Sequence, residues 1–491
     1  MAETGGRRRA GGEGLDLHLG VDRAAGFVGR ALETALREAI RSGRLHPGSR
    51  LPGSRSLAAD LGISRGTVVQ AYAQLIAEGW LTGAAGSGTR VAELPVSGIR
   101  PVLTSGLAAG GFADPAPPPA PGAARLMIDL RPGRPDLSSF PRTEWASSVR
   151  RALAAVPYES LDYTEPAGLP VLRVAVADYV TRARGVRADA SAVVITAGFT
   201  PGLALLARTL HGLGMRIVAT EDPGLAKHRG VLNAAGLVTV PLEVGADGAS
   251  PEGLAGQAAV LTPAHQYPRG VVLAARHRSA FVDWARREDG FIVEDDYDGE
   301  FRYDQQPVGA MQALAPDRVV FAGSTSKTLA PGMRLGWLVV PAALRGPLLE
   351  VMANAGAAVP VVEQLAMADL IGRGGYDRHI RRMRLIYRRR RADLAQVAAR
   401  SLEGVAAGPL EGVAAGLHAL LPLESAEQER VLIGRARQTG LALHGLHAHG
   451  YWREPGSGRP AALILGYATP PPHAWSRALG MLAEVVQEIG G

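Results

Sequence analysis

Two lysines, Lys227 and Lys327, stand among the 53 basic residues of this 491-residue chain, and the second lies in "GSTSKTLAPGMRLGW" at 323–337. Arginine supplies surface charge and ion pairs, but its guanidinium cannot lose a proton to become an amine nucleophile. Lys327 is therefore the candidate for amine chemistry: condensation with an aldehyde, eased where nearby positive charge lowers its pKa. Ser324, Ser326 and Arg334 flank it and are groups that suit a phosphate. Upstream, the apolar run of "GFIVEDDYD" ends in Asp295 and Tyr297. That carboxylate can pair with a protonated ring nitrogen, and the phenol can hydrogen-bond a ring oxygen. "TAGFTPGLALLAR" places Gly198, Phe199 and Thr200 just before a helix expected from Pro201. Free backbone N–H groups at such a start attract an anion.

Each piece has an ordinary alternative. "EDDYD" also fits a solvated or metal-binding acidic cluster, "GFT" a simple N-cap, Arg334 a salt-bridge partner and Lys327 a chance surface residue. Taken as one constellation they suit pyridoxal 5′-phosphate, with Lys327 as its Schiff-base lysine. No metal site is expected. The absence of cysteine excludes disulfides, zinc–thiolate and iron–sulfur sites.

Something must hold these residues together. "SAVVITAG", "MRIVATEDPG", "AAVLTPAH", "GFIVEDDYD" and "DRVVFAGSTSK" are short apolar runs ending in polar or glycine residues, with helical segments such as "TPGLALLARTLHGLG" and "HRSAFVDWARRED" between them. Buried parallel strands with crossover helices give this rhythm, and ligands gather at their C-terminal ends. Beyond about residue 340 the pattern is richer in helix and predicts a smaller α+β lobe.

The N-terminal part reads differently. Val28, Leu32, Leu36 and Ile40 recur at four-residue spacing, the mark of an amphipathic helix. "SRSLAADLGISRGTVVQAYAQLIAEGW" predicts helix, tight turn at Leu61-Gly62-Ile63, and a second helix N-capped by Ser64, with Val68, Tyr72, Leu75 and Ile76 on its buried face. "LTGAAGSGTRVA" adds two short strands, completing a winged helix-turn-helix. Arg23 to Arg90 holds nine arginines against four acids, a basic balance suited to a polyanionic partner. "GLAAGGFADPAPPPAPGAAR" is a Pro/Gly-rich linker. Without a signal-like or membrane-spanning apolar run, the expected location is cytoplasmic and no membrane partner is expected.

With these motifs in view, the chain resembles the MocR/GabR-type regulators. "SRSLAADLGISRGTVVQAYAQLIAEGWL…GSGTRV" looks like a GntR-type winged helix. "TAGFTPGLALLAR", "TEDPG", "TPAHQYPRG", "VEDDYDGEF", "STSKTLAPGMRLGW" and "GGYDRHIRRMRLIYRRRRADL" resemble their aminotransferase-like module. The resemblance implies a disordered start at 1–22, a GntR-type DNA-binding domain at 23–92, a linker at 93–125 and a fold-type I, pyridoxal-phosphate-binding domain of the α/β class at 126–491, its small lobe from about 341. It also implies a head-to-tail homodimer with Tyr163 reaching the neighbour's phosphate, and operator DNA as partner. By position, Lys327 matches the Schiff-base lysine, Asp295 and Tyr297 the ring contacts and Arg334 the phosphate arginine. Arg55, Ser64, Arg65, Gly66 and Thr67, with the wing residues Gly86, Ser87 and Gly88, match the DNA-contacting region.

Three positions depart from the pattern. Ile464 of "AALILGYA" stands where aminotransferases carry the arginine that holds a substrate carboxylate, with Arg459 nearby. Leu225 replaces an aromatic that stacks on the ring. The asparagine that supports the ring oxygen is missing, and His265 or Gln266 is the expected substitute, His265 being equally readable as a core histidine. The function implied is a transcriptional regulator whose aminotransferase-like domain senses an effector: pyridoxal phosphate itself, controlling vitamin B6 synthesis, or an amino compound with the cofactor as co-ligand. The competing classes are an active aminotransferase with an appended DNA-binding domain and a plain GntR regulator whose second domain binds nothing.

Overall fold

The computed structural model describes residues 28–41, 45–77, 80–84, 88–92, 128–303, 308–401, 406–454, 456 and 458–490. The expected disordered start, the linker, and Gly86 and Ser87 lie outside them. Two compact units are present, Met1–Gly110 and Gly111–Gly491.

In the first unit three helices, α1 (Val28–Arg41), α2 (Ser54–Leu61) and α3 (Arg65–Ala77), enclose one core with the antiparallel pair β1 (Leu81–Ala84) and β2 (Gly88–Val91). Leu32, Leu36 and Ile40 are buried on α1, and Val68, Tyr72 and Leu75 on α3. Gly62 ends α2 at φ 61°, a left-handed turn that glycine adopts without strain, its N–H bonding back to Ala58 and Ala59. Ser64 caps α3 as expected, its Oγ accepting from the Thr67 N–H at 3.1 Å. Ile76 departs from the expected buried face. It is 40 % exposed, because it sits at the helix end, where its Cδ1 covers Gly83 of the wing rather than the core.

The second unit is built on an eight-stranded sheet. Its strands, after the short β3 (Ile128–Asp129), are β4 (Val193–Thr196), β5 (Ile217–Asp222), β6 (Val238–Gly245), β7 (Gly248–Ala249), β8 (Ala258–Leu261), β9 (Phe291–Asp295), β10 (Val319–Ser324) and β11 (Gly336–Val339). Their spatial order is β4-β11-β10-β9-β8-β5-β6-β7. All five strands expected from the sequence are present. The sheet is mixed rather than wholly parallel, since β11 runs against both β10 and β4. Alternate residues face opposite sides. Val293, Val320 and Ala322 pack under helices Phe199–Gly212 and Ala342–Asn354. Ile292 and Val319 pack under helix Ala275–Arg287.

The small lobe starts later than about 341. Leu344, Leu348 and Met352 belong to the sheet's core, and Met367, Leu370 and Ile371 of helix Val361–Gly372 pack on its other face. The boundary falls inside helix Gly375–Ser401: Tyr376 and Ile380 enter the large-lobe core, Met383, Tyr387 and Leu394 the small-lobe core. The remaining strands, β12 (His418–Leu423), β13 (Leu441–Ala442), β14 (His444–Gly445) and β15 (Ala461–Gly466), complete that lobe. There β15 pairs with β12 and β14, while β13 pairs with β3, so the segment at 128–130 belongs to the lobe as well.

Strand β10, which delivers Ser324 to Lys327, leaves no space at Gly323, where a Cβ would stand 2.3 Å from Trp337 Nε1. Gly323→Ala is expected to lower the unfolding free energy by about 1–3 kcal/mol through overpacking, read as a lower urea midpoint.

Candidate functional site

The C-terminal ends of β5, β9 and β10 and the loop after β8 meet the start of helix Phe199–Gly212 around a cavity of about 360 Å³. Lys327, Asp295, Tyr297, Ser324, Ser326, Arg334, Gly198, Phe199 and Thr200, distant in sequence, all line it. Lys327 Nζ donates to the Gly133 carbonyl at 2.5 Å. Burial holds its pKa below the ordinary lysine value, and the opposing pull of Asp295 and Asp298 does not restore it. The positive neighbours Arg134 and Lys227 add to the lowering. Burial also pushes the Asp295 carboxyl well up, against the attraction of Lys327. Burial that lowers the pKa of an amine makes its neutral, nucleophilic form easier to reach.

The other end of the cavity suits an anion. The helix begins at Phe199, two residues earlier than expected, after Gly198 at φ 101°. Phe199 and Thr200 thus form its first turn, whose N–H groups have no acceptor within the helix. Arg334 takes the left-handed conformation at φ 48°, rare for a residue with a side chain, and its Nη1 lies 3.9 Å from where a Gly198 Cβ would stand. With Ser324 and Ser326, this set offers backbone donors, two hydroxyls and one cation to a phosphate.

Several lining residues had no role in the sequence reading. Thr220 is buried and its Oγ1 has no partner, an orphan hydroxyl that a polar ligand atom would satisfy. Glu221 accepts from Thr262 Oγ1 at 2.5 Å, Thr262 N at 3.1 Å and Gln266 Nε2 at 3.1 Å. His228, its ring edge-on to Phe199, is lowered to about 3 by burial and the nearby Lys227, Lys327 and Arg229. Tyr267 and Tyr451 share a hydroxyl–hydroxyl bond of 2.9 Å.

One expectation changes. The residue of "TPAHQYPRG" on the cavity is Tyr267, not His265 or Gln266. Gln266 is turned into the wall by bonds to Glu221, Pro223 O and Tyr267 O. His265 lies behind Tyr297, bonded to its hydroxyl at 3.1 Å. Tyr163, expected to reach a neighbour's phosphate, is fully exposed. Leu225 lines the cavity where an aromatic was absent. Ile464 is fully buried among Tyr267, Leu420, Tyr451 and Trp452, and Arg459 stacks over Trp452, its Cζ 4.9 Å from the ring centre, so neither supplies a cation to the cavity.

On the winged helix, Arg55, Ser64, Arg65, Gly66 and Gly88 are exposed and Thr67 half-buried. Residues 29–91 match the family of bacterial regulatory proteins called gntR, and residues 127–406 match aminotransferase class I and II. The chain is 33% identical over 470 residues to the HTH-type pyridoxine biosynthesis transcriptional regulator PdxR of Corynebacterium glutamicum, covering 93% of this chain and 95% of that protein. The chain belongs to the MocR-type regulators. A second relative, the probable rhizopine catabolism regulatory protein MocR of Rhizobium meliloti, is 33% identical over 89% of this chain and 90% of its own. In this MocR-type transcriptional regulator the second unit has the fold of aminotransferases. An archaeal alanine:glyoxylate aminotransferase superposes with TM-score 0.66 at 22% identity, covering 74% of this chain and 91% of that one. The α-aminoadipate aminotransferase LysN of Thermus thermophilus, complexed with N-(5'-phosphopyridoxyl)-L-leucine, gives 0.65 at 20%, covering 74% and 92%. Among the described residues no helix is long and apolar enough to cross a membrane.

Burial lifts the Glu221 carboxyl from 4.5 to about 7, against hydrogen bonds from Thr262 and Gln266 that pull it down. The folded protein therefore holds a proton there that the unfolded chain releases at lower pH. The stability from this group is complete below 4.5 and is lost as pH rises through 7. Glu221→Gln is expected to flatten that loss in ligand-free protein, raising Tm at pH 8 by roughly 2–4 °C and leaving it little changed at pH 4.5.

Proposed function

We propose that this MocR-type regulator binds pyridoxal 5′-phosphate through Lys327 and that occupancy of the cavity changes how the protein binds its operator. The carrying observation is the convergence of a pKa-lowered amine, a buried carboxyl and an anion-holding helix start on one cavity of a chain that also carries a winged helix. Lys327 is the attachment point for the aldehyde. Asp295 faces the ring nitrogen and Tyr297 the ring oxygen. Gly198, Phe199, Thr200, Ser324, Ser326 and Arg334 hold the phosphate. When bound, the cofactor supplies an electrophilic carbonyl and an electron-withdrawing ring.

The signal is the vitamer itself. Ile464, at the position where the aminotransferase resemblance puts the carboxylate-binding arginine, is buried in an uncharged cluster, and the similarity to a pyridoxine biosynthesis regulator supports this reading. On DNA, Arg65 at the start of α3 reads a base edge, Arg55 grips phosphate, and Ser64, Gly66, Thr67 and the wing around Gly88 support them. The exposed Tyr158, Leu161 and Tyr163 form part of a homodimer surface, from which Tyr163 reaches the partner's cavity. A ligand shifts DNA binding only if its affinity differs between two arrangements of the protein.

Purified protein given pyridoxal phosphate is expected to develop an absorbance band near the visible edge that is absent in Lys327→Ala. Pyridoxal phosphate alone, without any amine, is expected to change operator affinity in a gel-shift titration. A band with no such change would reject the vitamer as signal and favour an amino compound. Arg334→Ala should weaken cofactor binding roughly 10- to 100-fold, the loss of a charged hydrogen bond. Arg65→Ala should reduce discrimination between operator and mutated operator by about 1–3 kcal/mol, measured by competition binding.

A further inference from the structure

Behind Tyr297 in the cavity wall lies a buried polar group that the proposed function does not use. Asp298 and His265 are each 2 % exposed, and Asp298 Oδ2 lies 2.9 Å from His265 Nδ1. The same Nδ1 lies 3.1 Å from the hydroxyl of Tyr297, which lines the cavity. His265 Nε2 is buried without a partner. The backbone is fitted closely around this arrangement. Gly416, at φ 72°, packs on the histidine–carboxylate bond so tightly that a Cβ would stand 2.3 Å from Nδ1 and 2.5 Å from Oδ2.

Counting protons fixes the roles. If Nδ1 carries the hydrogen, Asp298 is satisfied and the one orphan is the Nε2 lone pair. If Nε2 carries it, a buried N–H and a buried carboxylate are both left without a partner. Each such orphan costs about 1–3 kcal/mol and more when charged, so the first arrangement prevails. A second proton on the ring would again strand an N–H at Nε2. With its hydrogen on Nδ1, the histidine cannot accept from Tyr297. The Tyr297 oxygen can only receive a share of that hydrogen, and its own proton must point elsewhere, toward the cavity it lines.

We propose that Asp298 and His265 form a positioning pair that fixes Tyr297 as a hydrogen-bond donor to the ring oxygen of a bound vitamer. The inference rests on the pyridoxal-phosphate reading above. The groups facing the pair are Asp295 and Glu221 across Tyr297, Tyr267 on the adjoining loop, Lys327 over the cavity, Tyr303 beside Asp298, and His418 from β12. His418 is held neutral by burial and bonds Pro268 O through Nε2 at 3.0 Å. Ligand atoms of His265, Asp298 and His418 lie within 4.8 Å of one another. His265 Nδ1, Asp298 Oδ2 and His418 Nε2 are already engaged in hydrogen bonds to protein atoms, as befits a wired support.

The consequence is spectroscopic. A donor to the ring oxygen stabilises its negative charge most when the neighbouring linkage nitrogen has lost its proton. Removing the donor therefore raises the pH at which that nitrogen deprotonates. The test is a pH titration of the visible band in full-length protein loaded with pyridoxal phosphate. Tyr297→Phe, His265→Leu and Asp298→Asn are each expected to move the midpoint upward by about one pH unit. His265→Asn, whose amide N–H stands where Nδ1–H stood, should restore most of the wild-type value. Asp298→Asn in the Tyr297→Phe background should add no further shift, since the pair acts through that hydroxyl. Should His265→Leu fail to fold, Asp298→Asn and the double variant still decide. A wild-type band whose midpoint stays put in Asp298→Asn overturns the positioning pair and leaves the proposed function standing. Absence of any band in the wild type overturns both.

Discussion

The site depends on two opposite charges buried on one cavity, the amine of Lys327 after β10 and the carboxyl of Asp295 at the end of β9. In water a lysine beside an aspartate is simply an ion pair. Here burial works against both charges, lowering the pKa of the amine and raising that of the acid. Much of the surrounding architecture keeps that pair dry and in register. Ala322 of β10 pairs with Asp295 of β9, in a part of the sheet buried on both faces. Gly198 supplies the positive φ from which the helix starts, and Gly323 lets Trp337 approach where a side chain would intrude.

Sequence carried much of this because the chemistry is written in unusual choices. A chain that has replaced nearly all its lysines makes Lys327 conspicuous, and apolar runs ending in Asp295 or Ser324 mark strand ends. The expected strands and the capped recognition helix followed from periodicity and short-range capping, which are local. What escaped was non-local. Gly133 and Tyr451 reach the cavity from segments with no distinctive pattern, one on each side of the small lobe. Thr220 and Glu221 lie inside a motif already singled out, but which of its side chains turn toward the cavity depends on the twist of the chain, not on residue type. The same ambiguity exchanged Tyr267 for His265. The direction of β11 was also unreadable, since a buried apolar run looks alike whichever way it points.

The cavity wall is shared between lobes. Tyr451 O accepts from Gly224 N at 3.0 Å, Arg229 donates to Gly450 O at 3.3 Å, and Arg453 N donates to Asp222 Oδ1 at 2.9 Å. With the Tyr267–Tyr451 bond, these contacts tie the loop before β15 to the segment after β5, next to Ile464. These bonds join the two lobes along one wall of the cavity.

Helix Gly375–Ser401 lends its N-terminal turns to one hydrophobic core and its middle to another. The two lobes are consequently not separable modules. Cleavage ahead of this helix would unroof the sheet, and cleavage behind it would leave Met383, Tyr387 and Leu394 facing water. Shuffling between relatives should respect the whole span from 128 to 490 as a single unit of inheritance, with a natural crossover point before it and none within.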